Sequence, residues 1–251
     1  MFRSWQLHGH LQRPAVAVIG AWDPLVDGHA RLFRRLKRYS AKTSRDALAV
    51  LLWPHPGSFI GRRCDWPLYD ALPVQVELIR SYGVDAVLVI RFSRRDSDLG
   101  ANELFKAIAP RAKLSELWLG ARQSLGRCKA GSAIRIDAIA RKRGIVVRRL
   151  RPLRSLQKGS EARRSLAAGK LRRAIVVVGR PPVLQRPARG TTIFVGWRPG
   201  VYRGVGLSSP LHYAGTIHSH LSVTAHKRGT RLQWPDRRLK WLAITDGPRS
   251  Y

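Results

Sequence analysis

The residues best suited to chemistry lie near the start of the chain, in Val16-Ala-Val-Ile-Gly-Ala-Trp-Asp-Pro-Leu-Val-Asp-Gly-His29. Gly28 and His29 at a helix start would place free backbone N–H groups, the positive end of the helix dipole and an imidazole together, an arrangement suited to gripping a phosphate. The flanking residues predict that geometry. Ala15 to Ile19 is a short apolar, β-branched run, Gly20 and Pro24 punctuate it, and Leu32, Phe33 and Leu36 recur at the spacing of one helix face. The stretch therefore reads as a buried strand, a sharp turn and the first turn of a helix.

Other candidates are scattered further along. His55 stands between two prolines, and Arg62 lies in the loop after it. Asp85 stands at a strand start and reads as structural. His218 and His220 share one face of a strand by their spacing of two. They have no third ligand nearby, so no metal site is expected. Cys64 and Cys128 have neither the number nor the spacing of a zinc site or a disulfide framework and read as free thiols.

The elements that would position these residues alternate. Asp46 to Trp53 is a second continuous apolar strand ending in Pro54-His-Pro-Gly57, and Val74 to Tyr82 is a helix closed by Gly83. Asp85 to Ile90 is a third strand, Asn102 to Ala109 a short helix stopped by Pro110, and Leu114 to Leu119 a fourth strand running into Gly120. Ala130 to Arg143 reads as a helix and Ile145 to Arg148 as a fifth strand. This alternation implies a doubly wound α/β domain built on a parallel sheet, whose ligands sit beyond the carboxyl ends of the strands. Glu161 to Ala174 reads as one or two short helices broken at Gly169. Ile175 to Val178 is a strand by propensity, and Pro181, Pro182 and Pro187 mark a linker. After it come short β-type segments at Thr191 to Val195, Gly200 to Val205, Gly215 to Val223 and Leu239 to Ile244, a small β-rich C-terminal unit. The expected domains are 1–182 and 183–251.

At 251 residues the chain can bury a real core. No apolar run approaches the roughly 20 residues of a membrane span, and the N-terminus lacks the layout of a signal peptide, so a cytoplasmic location is expected. The formal net charge is +32, and from Ala138 to Pro235 there are 21 Lys and Arg against one acid, Glu161. Such a field attracts polyanions, including nucleotides and, non-specifically, RNA. The basic residues are not interleaved with stacking aromatics, and no nucleic-acid-binding motif is present.

The stretch Gly20-Ala-Trp-Asp-Pro-Leu-Val-Asp-Gly-His29 resembles the G-x-F-D-G-V-H-x-G-H signature of bacterial FAD synthetases, the N-terminal half of the bifunctional riboflavin kinase/FAD synthetase. Further likenesses follow in order. Trp53-Pro-His-Pro56 resembles the family's F-x-P-H-P turn, Tyr82 to Ile90 its G-V-D strand, and Leu119 to Arg127 its V-G-x-D-F-x-F-G segment. Ser160 to Ala174, with Gly179-Arg-Pro181 downstream, resembles S-S-T-x-I-R-x-x-L-x-x-G and L-G-R-P. The resemblance covers about residues 14–182 and implies a Rossmann-like nucleotidyltransferase domain that moves AMP from ATP to FMN with Mg²⁺. It also implies that Ile175 to Val178 continues a helix.

By the same resemblance His29 and Asp23 are the catalytic candidates, His29 at the phosphates undergoing transfer and Asp23 holding the turn or orienting a water-bound metal. Gly20, Ala21, Trp22, Gly28, Gly120, Ser160 and Arg163 would bind the nucleotide, and His55, Pro56 and Arg62 would shape the flavin side. Six positions depart from the pattern. Val26 replaces the first motif histidine, Pro24 a glycine, Arg122 an acid, Leu125 an aromatic, and Lys158 and Gly159 the hydroxyl residues upstream of Ser160. In the C-terminal part Pro199-Gly-Val-Tyr202 resembles the P-G-V-Y turn of the riboflavin kinase module, but no G-x-P-T-A-N segment is present and Leu184 to Pro235 contains no Asp or Glu. The C-terminal domain thus reads as a remnant of that module, without riboflavin kinase activity. The alternatives left open are a catalytically impaired paralogue that binds nucleotide or flavin, and a basic RNA-associated protein.

Overall fold

The computed structural model describes residues 5–59, 67–98, 100–120, 123, 133–151, 158–187, 192–195, 197–207, 218–226, 229–235 and 239–247. Arg62, Cys64, Arg122, Leu125 and Cys128 lie outside them. The chain forms two compact units. One comprises Met1–Ala21, His29–Ile60 and Ile79–Leu153; the other comprises Trp22–Gly28, Gly61–Leu78 and Arg154–Tyr251.

The first unit is built on a six-stranded sheet of β1 (Trp5–Gly9), β2 (Ala15–Gly20), β3 (Asp46–Trp53), β4 (Ala86–Arg91), β5 (Leu114–Gly120) and β6 (Val146–Leu150), in the order β1-β4-β3-β2-β5-β6. From β4 to β6 neighbouring strands are parallel. Their sequence order across the sheet is third, second, first, fourth, fifth, the arrangement of the dinucleotide-binding fold. Its topological switch point falls between β2 and β5. Helices α1 (Asp27–Lys42), α3 (Ala101–Ile108) and α4 (Ala133–Arg141) belong to the crossovers, and α2 (Leu72–Ser81) divides between the two units. Alternate residues of β2, β3, β4 and β5, such as Ala17, Leu48, Leu88 and Leu117, pack with Leu104, Phe105 and Ile108 of α3 in one buried cluster. Continuous burial on both faces explains why the strands carry unbroken apolar runs.

The parallel reading needs one amendment. β1 pairs antiparallel with β4 at the sheet edge. Its sequence, Trp-Gln-Leu-His-Gly, is half exposed and has no apolar run to mark it. Gly9 ends it with φ of +94°, and a Cβ there would collide with the Asp85 carbonyl oxygen, so the turn into β2 requires glycine.

At the opposite end of the sheet a buried acid ties strands and helix together. Glu116 on β5 is 2% exposed and accepts hydrogen bonds from Tyr39 Oη (2.9 Å), Arg45 (2.7 Å), Trp118 Nε1 (2.7 Å) and Arg148 (2.8 Å). Burial disfavours the charged carboxylate, but the Arg148, Trp118 and Tyr39 bonds outweigh it and hold its pKa below the ordinary value.

The second unit holds α5 (Lys158–Ala167), α6 (Leu171–Val178) and a six-stranded antiparallel sheet in the order β7-β12-β9-β10-β11-β8. Its strands are β7 (Val183–Gln185), β8 (Thr192–Phe194), β9 (Gly200–Leu207), β10 (His218–His226), β11 (Gly229–Gln233) and β12 (Trp241–Asp246). The propensity reading of Ile175 to Val178 as a strand is overturned: these residues finish α6. Leu171, Ala174 and Val178 are buried at helical spacing, and Gly179 caps the end at φ +87°. Burial on one face outweighs the β preference of valine. The segment read as a Pro-rich linker also contains a strand, β7, paired with β12. The prolines flank it and cost the ladder no donor within it.

Glu116→Ala leaves Trp118 Nε1 and Tyr39 Oη without their acceptor, whereas the partly exposed arginines can return to water. We expect a loss of about 2 kcal/mol, read from urea unfolding, and a smaller loss for Glu116→Gln. Wild-type midpoints in both variants would deny the cluster any share in stability.

Candidate functional site

In the first unit the candidates gather at the carboxyl edge of the parallel sheet. Gly20 ends β2, and Gly120 ends the neighbouring β5 across the switch point. The β2–β5 ladder closes at Val18 and Trp118. Beyond it the Gln123 carboxamide continues the ladder as a peptide would. Its Nε2 donates to the Ile19 carbonyl (2.9 Å), and its Oε1 accepts from Gly120 N–H (3.1 Å). Arg149 donates to the Gln123 backbone carbonyl (3.1 Å), so this residue is held from both ends. Sequence reasoning passed over Gln123, because an amide inserted between two strands leaves no periodic signal.

β3, adjacent to β2, leads to His55 and Pro56. The His55 Nδ1 accepts from Gly57 N–H at 3.0 Å and caps the short 3-10 turn Pro56–Ser58. His29 is the third residue of α1 and half buried, with Gly28 before it. Asp27 supplies an acid in that first turn, matching the positive dipole end.

The second unit contains the rest of the motif turn. Trp22 adopts φ of +26°, a conformation that non-glycine residues seldom take, and the Asp23–Pro24 peptide is cis. Asp23 is 3% exposed. Its carboxylate accepts from the backbone N–H groups of Tyr69 (3.1 Å to Oδ2) and Asp70 (3.0 Å to Oδ1). Its backbone carbonyl accepts from Arg163, whose other nitrogen lies 3.2 Å from Ser160 Oγ. Gly159, buried in the first turn of α5, has room for a Cβ only 3.6 Å from the Pro24 carbonyl. The structure thus brings Asp23, Ser160 and Arg163 together.

Asp70 is fully buried and forms a two-pronged ion pair with Arg180, through Nη1 at 2.7 Å and through Nη2. The Tyr69 hydroxyl donates to the Arg180 carbonyl at 2.5 Å. The sequence carries no local signal for Asp70, and it marks Arg180 only as part of Gly179-Arg-Pro181.

Burial, and then the neighbouring Asp70 charge, push the Asp23 pKa up to about 7 against the opposing pull of the Tyr69 and Asp70 amides and Arg163. Burial likewise makes Arg163 less basic than an ordinary arginine. An acid satisfied by two backbone amides and inclined to hold a proton is poorly suited to ligate a cation. Among the described residues no group of three or more His, Cys, Asp or Glu could hold a metal ion. The described residues therefore offer no cage that would hold a cation by protein side chains alone. Val26, where the resemblance puts a histidine, is 2% exposed in an apolar cluster with Tyr69, Leu166 and Trp197. No helix among the described residues is long and apolar enough to cross a membrane.

The third-second-first-fourth-fifth sheet, with a glycine ending each strand of the switch point, defines an α/β protein of the Rossmann-like class. The sequence matches the model of the FAD synthetase family over residues 9–162, and the chain belongs to that family. A crystal structure described as a macrolide-efflux protein from Streptococcus pneumoniae superposes with a TM-score of 0.63 at 15% identity, over 96% of this chain and 88% of that one. At that identity the likeness is one of fold.

The Asp23 carboxyl gives a pH prediction. Its folded pKa of about 7 exceeds its unfolded value, so the native state binds the proton more tightly. Stability from this group is full below the unfolded pKa of about 3.9 and falls as pH rises through 7, by at most about 1.4 kcal/mol per pH unit. Asp23→Asn keeps an acceptor and carries no charge, so in urea unfolding it should gain on wild type steadily from pH 5 to about pH 7 and level off above it. Parallel curves would show that Asp23 is ionised throughout.

Proposed function

We propose that the protein is an FMN adenylyltransferase. An FMN phosphate oxygen attacks the α-phosphorus of ATP, the bond from that phosphorus to the α,β-bridging oxygen breaks, and pyrophosphate leaves with FAD as the other product. The family match over 9–162, laid on a sheet whose switch point carries Gly20 and Gly120, is the observation that carries this reading. In it, the α1 N-terminus and His29 hold the phosphates undergoing transfer, and Gly20, Ala21, Trp22, Gly28 and Gly120 let the nucleotide approach the backbone. Ser160 and Arg163 bind nucleotide phosphate, while His55, Pro56 and Arg62 border the flavin. Asp23 acts by holding the turn. Magnesium enters with the nucleotide, as ions bound chiefly by phosphates and waters do. The β-rich segment 183–251 is a remnant of a riboflavin kinase module. The protein works in the cytoplasm.

A second reading is favoured by Val26. Its apolar, buried setting supplies no donor to the leaving phosphates, so the chain would be an impaired paralogue that binds nucleotide or flavin without turnover. Incubation with FMN, ATP and Mg²⁺, followed by chromatography, separates the two. FAD formation that falls about 10²- to 10³-fold in His29→Ala supports the transferase. No FAD, but heat stabilisation by ATP or FMN, supports the paralogue. Neither product nor stabilisation rejects both.

Val26→His does not simply restore the motif. Placing an imidazole in that cluster should cost about 1 to 3 kcal/mol. Thermal unfolding measures this beside the activity assay, and an unchanged melting temperature would show that the cluster opens to admit the ring.

A further inference from the structure

The exposed side of α1 carries a charge pattern that nucleotide chemistry does not use. Arg31, Arg34, Arg35, Arg38 and Lys42 are all exposed. At 3.6 residues per turn they fall within an arc of about 100° and form a row about 16 Å long. Among the described residues no carboxylate forms an ion pair with any of them, although acids elsewhere pair with Arg13, Lys37, Arg45 and Arg148. Arg38 has three like-charged neighbours at helical contact spacing, Arg34, Arg35 and Lys42. Such pairs oppose helix formation unless something neutralises them.

Two of the five are braced. The Arg34 guanidinium lies 5.6 Å from the centre of the Tyr82 ring, and that of Arg35 lies 5.7 Å from Trp118. A cation stacked on a ring gives up less freedom on meeting a phosphate. Four of the five are arginines, whose planar fork matches phosphate oxygens.

We propose that this face of α1 binds the sugar-phosphate backbone of a nucleic-acid strand without reading its sequence. Successive turns place cations about 5.4 Å apart. A strand carries a phosphate about every 3.4 Å of duplex axis, so each turn of the helix meets one or two charges. A lipid surface fits less well. Interfacial helices bury an apolar face in the headgroup region, whereas Leu32, Phe33 and Leu36 of α1 are already buried within the protein and the exposed row contains no large apolar side chain.

The test uses the full chain and a fluorescein-labelled oligouridylate, with anisotropy read across a salt series. Wild type should bind with affinity that falls as salt rises. Arg38→Glu should weaken binding about tenfold or more and reduce the log–log salt slope by about 0.7 or more, the share of one phosphate on a single strand. This substitution turns three repulsive helix pairs into attractive ones, so lost folding does not confound it, and a melting curve verifies that. Lys142→Glu, an exposed reversal at the end of α4, changes net charge equally and should leave affinity within twofold. Equal losses in both variants, no loss in Arg38→Glu, or no wild-type binding would overturn the proposal. So would capture by phosphatidylserine vesicles, through Arg38, without oligouridylate binding. FAD formation by Arg38→Glu should match wild type, so failure here and failure of the transferase reading are separately visible.

Discussion

A single buried carboxyl group orders the second unit. Asp23 forms no ion pair with a cation among the described residues, and the charge of Arg163 opposes its raised pKa only in part. Asp23 is held by the amides of Tyr69 and Asp70 and lies beside Asp70, itself a buried acid. Two carboxyl groups can share such a site only if one is neutralised by a partner or the other holds a proton. Arg180 meets the first condition by a two-pronged pair with Asp70, and the raised pKa of Asp23 meets the second. The turn Trp22–Gly28, segment 67–71, the first turn of α5 and the residue after α6 are therefore linked through polar contacts that a mismatched side chain would leave unsatisfied. Asp23 thus fixes the turn that precedes α1, its carboxylate oxygens being spent on the backbone amides of Tyr69 and Asp70.

In the first unit the analogous constraint is the switch point. Two parallel strands that diverge would expose the Ile19 carbonyl and the Gly120 amide. The Gln123 side chain satisfies both, standing in for a missing peptide. Backbone groups at the carboxyl edge of the sheet are thereby kept from pairing directly with each other. The histidine cap at His55 works similarly at the end of β3, where a side-chain nitrogen occupies an amide that no strand partner reaches.

What the sequence made legible follows from how each feature is encoded. Parallel strands buried on both faces leave continuous apolar runs, so β2 to β5 and the helices between them could be read directly, along with the placing of Gly28 and His29 in the first turn of α1. β1 could not, because a half-exposed edge strand with alternating polarity looks like loop. Ile175 to Val178 misled because local propensity favours a strand, while the long-range burial of Leu171, Ala174 and Val178 decides for a helix. The polar couplings were invisible for a related reason: Asp23 to Asp70, Asp70 to Arg180 and Gln123 to Ile19 join residues 47, 110 and 104 positions apart. Only the family's order of motifs suggested that Asp23, Ser160 and Arg163 belong together.

The charge balance takes on a spatial meaning in the same way. With 15 acids against 47 Lys and Arg, the location of each acid matters more than the sum. Asp23 and Asp70 hold the motif turn, Asp46 accepts from the amides of Gln12 and Arg13, and Asp85 caps the Ala47 amide. Glu116 serves four donors inside the sheet, and Asp96 closes its own turn onto Ser93. Most described carboxylates are thus consumed by backbone amides and by a minority of the arginines. Many of the remaining cations are exposed, Arg31, Arg34, Arg35 and Arg38 among them. Where a helix gathers them on one side, as α1 does, the excess becomes a directed surface with its own rings to brace it. The +32 formal charge is therefore expressed outward because the acids are spent inward.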